Sequence, residues 1–195
     1  TVIGGGGFVG SHTADKLSDA GHSVRVFDRA PSRWLRSDQT MIVGDILDEK
    51  ALSEAIIGSE VVYHFAALAN IDDMMDDPKN AINTNILGTI NVLEASHRSK
   101  VARFIYASTV YVYSREGGFY RCGKQASENF IEEYQRRYGL DYTILRYGSL
   151  YGPRSDESNG LYSVVKHAIE FGRLRYNGTQ ESMREYVHVE DAARA

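Results

Sequence analysis

A glycine-rich turn near the start of the chain constrains the fold more than any other feature. Gly4-Gly5-Gly6-Gly7-Phe8-Val9-Gly10 lies between a β-branched run, Val2-Ile3, and a segment patterned as a helix to about Ala20. Glycine at positions 4, 7 and 10 gives a G-x-x-G-x-x-G spacing. That spacing lets the backbone approach a pyrophosphate and aims a helix N-terminus at its charge. Strand, turn and helix together make the first part of a βαβ unit, whose second strand runs parallel to the first. Val24-Arg25-Val26-Phe27 is the expected second strand, closing on Asp28. A carboxylate at that place accepts from both ribose hydroxyls and repels a 2′-phosphate, which favours NAD over NADP. Arg29, on the same predicted cofactor edge, and Arg33 pull the other way.

The rest of the sequence alternates short apolar runs with longer helical patterns, the signature of an α/β fold with a Rossmann-type doubly wound parallel sheet. After a polar loop from Pro31 to Gln39, Met41-Ile42-Val43 is the third strand, and a helix runs from Glu49 to about Ile57 with Asp48 as its N-cap. Val61 to Phe65 is the fourth strand. One long helix is expected from about Pro78 to His97, with the proline in its first turn. Arg103 to Ala107 is the fifth strand and delivers Ser108 and Thr109 to the carboxyl edge of the sheet, where ligands bind in such folds. A helix follows from about Tyr120 to Tyr138, stopped by Gly139, then a sixth strand from Tyr142 to Arg146 and a turn at Tyr151-Gly152-Pro153-Arg154. A further helix runs from about Leu161 to Phe171. Residues 1–150 are therefore read as an NAD-binding domain, and 151–195 as the start of a smaller substrate-binding lobe. The abbreviated first strand, and a last stretch from Asp191 that reads as an opening helix, make the sequence look cut at both ends.

Composition narrows the partners. A net charge of -4 without a basic cluster argues against nucleic acid, and no apolar stretch reaches the roughly 20 residues that span a bilayer. The single cysteine, Cys122, precludes an internal disulfide and fits a reducing, cytoplasmic setting. It reads as a small core filler. No metal-ligand spacing is present.

Tyr120 and Lys124 stand at i and i+4, so on a helix they share one face. The ammonium is then expected to stabilise a phenolate and bring the Tyr120 pKa down toward working pH. With Thr109 upstream, the pair points to proton transfer on an alcohol that exchanges hydride with a nicotinamide.

These residues, in this order, resemble the extended short-chain dehydrogenase/reductases, and within them the NAD-dependent sugar-nucleotide epimerase/dehydratase family. The glycine turn resembles that family's G-G-x-G-F-[IV]-G, Gly44-Asp45-Ile46 its G-D-[IL], His64-Phe65-Ala66-Ala67 its H-x-A-A, and Asn85 to Thr89 its N-x-x-G-T. Downstream, Leu145-Arg146 through Pro153 resembles L-R-x-x-N-x-Y-G-P, and Arg184 to Val189 resembles R-D-[FY]-[IV]-H-V. The resemblance covers essentially the whole chain. It implies a cofactor site made of Gly4, Gly7, Phe8, Val9, Gly10, Asp28, Arg29, Asp45, Ile46, Phe65, Ala66, Ala67, Asn85, Tyr120 and Lys124. It also implies a catalytic set of Thr109, Tyr120 and Lys124, a nucleotide sugar as substrate contacted by Ser149 and Arg184, and a homodimer joined through its long helices. His64 reads as a structural, buried residue.

Departures from the pattern refine the reaction. Val110 and Tyr111 stand where dehydratases carry an acidic pair, and neither can be a carboxylic acid or base, which disfavours 4,6-dehydration. Thr109, Tyr120 and Lys124 suffice for epimerisation through a transient ketone. They also suffice for net oxidation or reduction of another alcohol or ketone, and a non-catalytic NAD-binding module stays open beside both. Only eleven residues lead from Thr109 to Tyr120, and Ser149 replaces an asparagine, which shortens the reach toward a diphosphate.

Overall fold

Parallel pairing sets the architecture. The chain, seen in a computed structural model, is described over residues 1–69, 76–174 and 183–195. Among these, β1 (Val2–Ile3), β2 (Val24–Asp28), β3 (Gln39–Val43), β4 (Val61–His64), β5 (Arg103–Thr109) and β6 (Tyr142–Tyr147) form one sheet in the order β3-β2-β1-β4-β5-β6. All five pairings are parallel, with Val2 facing Val26 on one side and Tyr63 on the other. The strand order reverses between β1 and β4. That is the switch point at which such sheets open a crevice at their carboxyl ends.

Side chains alternate across the sheet with the two-residue period of a strand. One set, including Ile3, Phe27, Val62, Phe104 and Tyr106, packs under the helices α2 (Glu49–Ile56), α4 (Gly88–Arg98) and α5 (Gly118–Tyr138) through Leu52, Ile56, Leu93 and Ile131. The other set, Val2, Val24 and Val26, packs under Ala14 and Leu17 of α1 (Phe8–Asp19). Asp48 caps α2 as expected, accepting from the N–H groups of Lys50 and Ala51. No helix among the described residues is long and apolar enough to cross a membrane.

Two local expectations differ from the structure. The long helix is divided into α3 (Pro78–Ile82), a π turn at Asn83–Leu87, and α4. Ile46 packs where a Cβ on Gly88 would stand, and the Asn85 carbonyl in the π turn accepts two side-chain hydrogen bonds. Thr89 Oγ1 (2.8 Å) and Ser127 Oγ (2.7 Å) donate to it. The second difference is a small parallel sheet, β7 (Ser149–Tyr151) with β8 (Tyr186–His188), which takes the first residue of the expected turn at 151–154. Strands of three residues are too short for alternation to show. The boundary expected at residue 150 falls inside β7. Beyond it, α6 (Gly160–Phe171) and α7 (Val189–Arg194) follow, the latter opening two residues before the Asp191 start expected, with Glu190 and Asp191 in its first turn.

The segment after β7 is tied back across α1. His12 Nε2 pairs with the Pro153 carbonyl at 2.9 Å, and Arg154 meets Asp15 at 2.6 Å. The Trp34 ring is bracketed by the guanidinium groups of Arg33 and Arg154, 4.8 and 4.9 Å from its centroid.

His64 closes β4 as the buried, structural residue its sequence context suggested. Its Nε2 pairs with Thr89 Oγ1 at 3.0 Å, and the ring lies against Phe104 and Tyr106. Burial, and then the charge of Lys124, push its pKa down to about 3. The folded value lies below the ordinary one, so its contribution is complete above about pH 6.5 and is lost as pH falls toward 3, by about 1.4 kcal/mol per unit. Denaturant titrations at pH 7 and pH 5 are expected to show about 2 kcal/mol of this loss, which His64→Gln should abolish.

Candidate active site

The glycine turn is built by contact with its neighbours. Gly4 has φ +79°, and a Cβ there would run into the backbone of Ala66, just past β4. A Cβ on Gly10 would run into the Gly4 carbonyl. Gly7 is the N-cap of α1, with no side-chain cap bond and no acidic residue in the first turn. The N–H groups around Phe8 and Val9 are thus left to an anion, in the place where a dinucleotide pyrophosphate fits. The Gly6 N–H donates to Asp28 Oδ2 at 3.0 Å, which holds the carboxylate at the tip of β2 beside the turn. The residues fit NAD.

The other expected cofactor positions gather along the same edge. Arg29 is exposed next to Asp28, and Asp45 is exposed past β3, its Oδ1 accepting from the Leu47 N–H at 2.8 Å. Ile46 is buried and its carbonyl accepts from Asn91 Nδ2 at 3.1 Å. Phe65 and Ala66 both donate to the Ile3 carbonyl, at 2.8 and 3.1 Å, which brings the 65–67 segment against the glycine turn.

Asn85 is tied to the segment after β4. Its side chain accepts from the Leu68 N–H at 2.8 Å and donates to the Leu68 carbonyl at 2.9 Å, pairing with that backbone as a neighbouring strand would. The π turn presents it, and Gly123 of α5 lies against its Cβ, where any added side chain would be 3.2 Å away. Asn85→Ala leaves both Leu68 groups short of a partner, and a loss of about 2–3 kcal/mol is expected. Chemical denaturation checks this, and an unchanged midpoint would show that Leu68 is held by something else.

Thr109, Tyr120 and Lys124 come together at the end of β5 and the start of α5. Thr109 is buried, accepts from the Tyr111 N–H at 3.2 Å, and lies close enough to the Tyr120 phenol to favour its ionised form. Lys124 is buried, donates from Nζ to the Ala107 carbonyl at 2.7 Å, and lies over the rings of Tyr106 (4.6 Å) and Tyr120 (5.8 Å). The expected lowering of the Tyr120 pKa is not found. Burial pushes that phenol up to about 12, with the Thr109 hydroxyl opposing it. Sharing a helix face is not enough, because the Lys124 ammonium is directed to a carbonyl, and burial brings its own pKa down to about 7 against the pull of Glu128. Cys122 is exposed and fills no core, contrary to expectation: it lies on the helix face opposite Lys124.

Beside this set is a network the sequence reading passed over. Glu128, buried in α5, accepts from Ser108 Oγ at 2.5 Å and from Arg146 of β6 at 2.7 and 3.0 Å. Arg146 also donates to the Tyr113 hydroxyl at 2.5 Å. The signal was present, since 120, 124 and 128 repeat the i, i+4 spacing of one helix face. Ser149 opens β7 and Arg184 lies two residues before β8, where the Ser149 N–H donates to the Glu185 carbonyl at 3.2 Å.

The chain as a whole is similar to known proteins. The family described as NAD dependent epimerase/dehydratase matches residues 1–195. A putative UDP-glucose 4-epimerase from Methanocaldococcus jannaschii is 30% identical over 100% of this chain and 70% of its own length. The crystal structure of UDP-glucose 4-epimerase from Thermotoga maritima with UDP-glucose superposes with a TM-score of 0.91 at 31% identity, covering 99% of this chain and 70% of that one. The Thermus thermophilus UDP-glucose 4-epimerase complex with NAD gives 0.89 at 28%, covering 99% and 71%. A UDP-N-acetyl-alpha-D-glucosaminuronate decarboxylase and a dTDP-glucose 4,6-dehydratase are similar too, at 30% and 26% identity.

Proposed function

From the premise that the chain belongs to the NAD dependent epimerase/dehydratase family, we propose that it inverts a hydroxyl-bearing carbon of a nucleotide-activated sugar by transient oxidation to a ketone. The observation that carries this reading is the meeting of Thr109, Tyr120 and Lys124 beside the glycine turn, with Val110 and Tyr111 in place of any carboxylic acid that could expel water. Gly4, Gly7, Phe8, Val9 and Gly10 hold the pyrophosphate of NAD. Asp28 and Arg29 hold the adenosine ribose, Asp45 and Ile46 the adenine, and Phe65, Ala66, Ala67 and Asn85 line the middle of the cofactor. When bound, NAD supplies a nicotinamide that takes up and gives back hydride.

The chain's own residues handle the proton. Tyr120 Oη, once it has given up its own proton to solvent, takes the proton of the sugar hydroxyl as its carbon is oxidised and returns it once the keto sugar has presented its other face. Thr109 Oγ1 donates to the changing oxygen, and the Lys124 ammonium offsets the negative charge on Tyr120 and holds the nicotinamide ribose. Ser149 and Arg184, in the region 151–195 and just before it, face the diphosphate. Exposed Ile82, Leu87 and Phe130 on α3, the π turn and α5 support a homodimer formed through these helices.

Incubation with NAD and UDP-glucose, UDP-galactose or their GDP and dTDP counterparts, followed by chromatography of the sugar nucleotides, is expected to yield the epimer. No isomer from any of them would overturn the reading. A second reading, net oxidation or reduction of another alcohol or ketone, is favoured by Ser149 and the short 109–120 loop. Accumulation of NADH without added acceptor would establish it.

A further inference from the structure

We infer that Glu128 is a positioning residue for the reacting pair: its buried carboxylate favours the charged form of Lys124 and fixes the tip of β5 on which Thr109 stands. This rests on reading Tyr120 and Lys124 as the pair that handles the substrate proton.

Three observations carry it. Glu128 follows Lys124 by four residues on α5, so the two side chains are neighbours on one helix face, and both are buried. An ammonium in such a place needs a compensating charge. The groups facing Lys124 are the Tyr106 ring on β5, the Tyr120 ring on α5, and Glu128; His64 on β4 is near enough to feel its charge. Of these, Glu128 is the one that carries a carboxyl group. Secondly, Ser108 Oγ donates to Glu128 Oε1 at 2.5 Å, and Ser108 directly precedes Thr109 in β5. The carboxylate thereby links the helix that carries Tyr120 to the strand that carries Thr109.

Thirdly, the negative charge is partly balanced from the other side. Arg146 Nη2 lies 2.7 Å from Glu128 Oε2, its Nε donates to the same carboxylate, and its other arm reaches the Tyr113 hydroxyl. Glu128 is therefore ion-paired directly with Arg146 at the sheet edge, while Lys124, one turn earlier on the same helix face, feels the carboxylate charge without touching it. Removing either partner changes what the other feels, and in opposite directions. Neutralising Glu128 exposes Lys124 to uncompensated burial and to the Arg146 charge. Neutralising Arg146 leaves the whole carboxylate to Lys124. A role confined to packing predicts no such opposition.

The test is the titration of Lys124 itself, followed by NMR of protein labelled with 13C at the lysine ε-carbons, the signal being assigned by its absence from Lys124→Arg. In Glu128→Gln the midpoint should fall by about one pH unit or more, and in Arg146→Gln it should rise. Circular dichroism confirms that each variant is folded. Midpoints that stay where they are in the unmodified protein, or that move the same way in both variants, overturn the inference. Should Glu128→Gln not fold, Arg146→Gln decides alone: a rise supports it, and an unchanged or lower midpoint refutes it. The titration needs no turnover. A protein that inverts no sugar yet shows the opposed shifts refutes the proposed function and leaves this coupling standing, whereas an active epimerase with unmoved midpoints does the reverse.

Discussion

Tyr120→Phe is expected to lower turnover of the sugar nucleotide about 10²- to 10⁴-fold while NAD still binds, because it deletes only the oxygen that carries the proton. The burial that raises this phenol to about 12 keeps it protonated at rest. The variant therefore removes a neutral hydroxyl and adds no charge defect. Its ring keeps its place over Lys124, and the fold should survive with an unchanged melting temperature. Steady-state assays beside a calorimetric NAD titration separate the two effects. Turnover that persists in Tyr120→Phe would transfer the acid/base role to another group.

Gly10→Ala should have the largest effect on stability, about 3 kcal/mol or more, or prevent folding outright. The new methyl group would occupy the space of the Gly4 carbonyl and crowd Gly5 Cα, which is backbone on both counts and cannot rotate away. α1 would have to lift off the β1 turn, and the approach needed for a pyrophosphate would go with it. Gly21→Ala is the control. Gly21 also has a positive φ, +86°, but opens on free space, so only the backbone preference is at stake, about 1 kcal/mol. Thermal melts of both variants test this, and equal losses would show that crowding at Gly10 is relieved by small shifts.

Much of this fold could be read from the sequence because its signals are local. Glycine spacing before a helix, Asp48 ahead of α2, Gly139 after α5 and β-branched runs each record a constraint met within a few residues. The features that escaped are set by distant partners. The π turn at Asn83–Leu87 is bonded to Leu68 and Ser127, and Ile46 packs at Gly88 just after it, three partners from distant parts of the chain. β7 and β8 pair across more than thirty residues of chain. The same division holds in the site. Thr109, Tyr120 and Lys124 could be placed together from their order, but the direction of the Tyr120 pKa could not, since it depends on burial and on the Ala107 carbonyl that draws Lys124 away. Glu128 shared the helix face and went unnoticed because its partners, Ser108 and Arg146, lie on two different strands.

The bracket around Trp34 has a practical consequence. This is the one tryptophan in the sequence, and its ring is held between an arginine on its own loop and one from the segment beyond β7. Its emission spectrum thus serves as a native optical gauge of whether that segment is seated on α1. Release of Arg154 would change the polarity around the indole before the main sheet melts, so fluorescence and circular dichroism followed on one sample resolve undocking of the smaller region from unfolding of the larger.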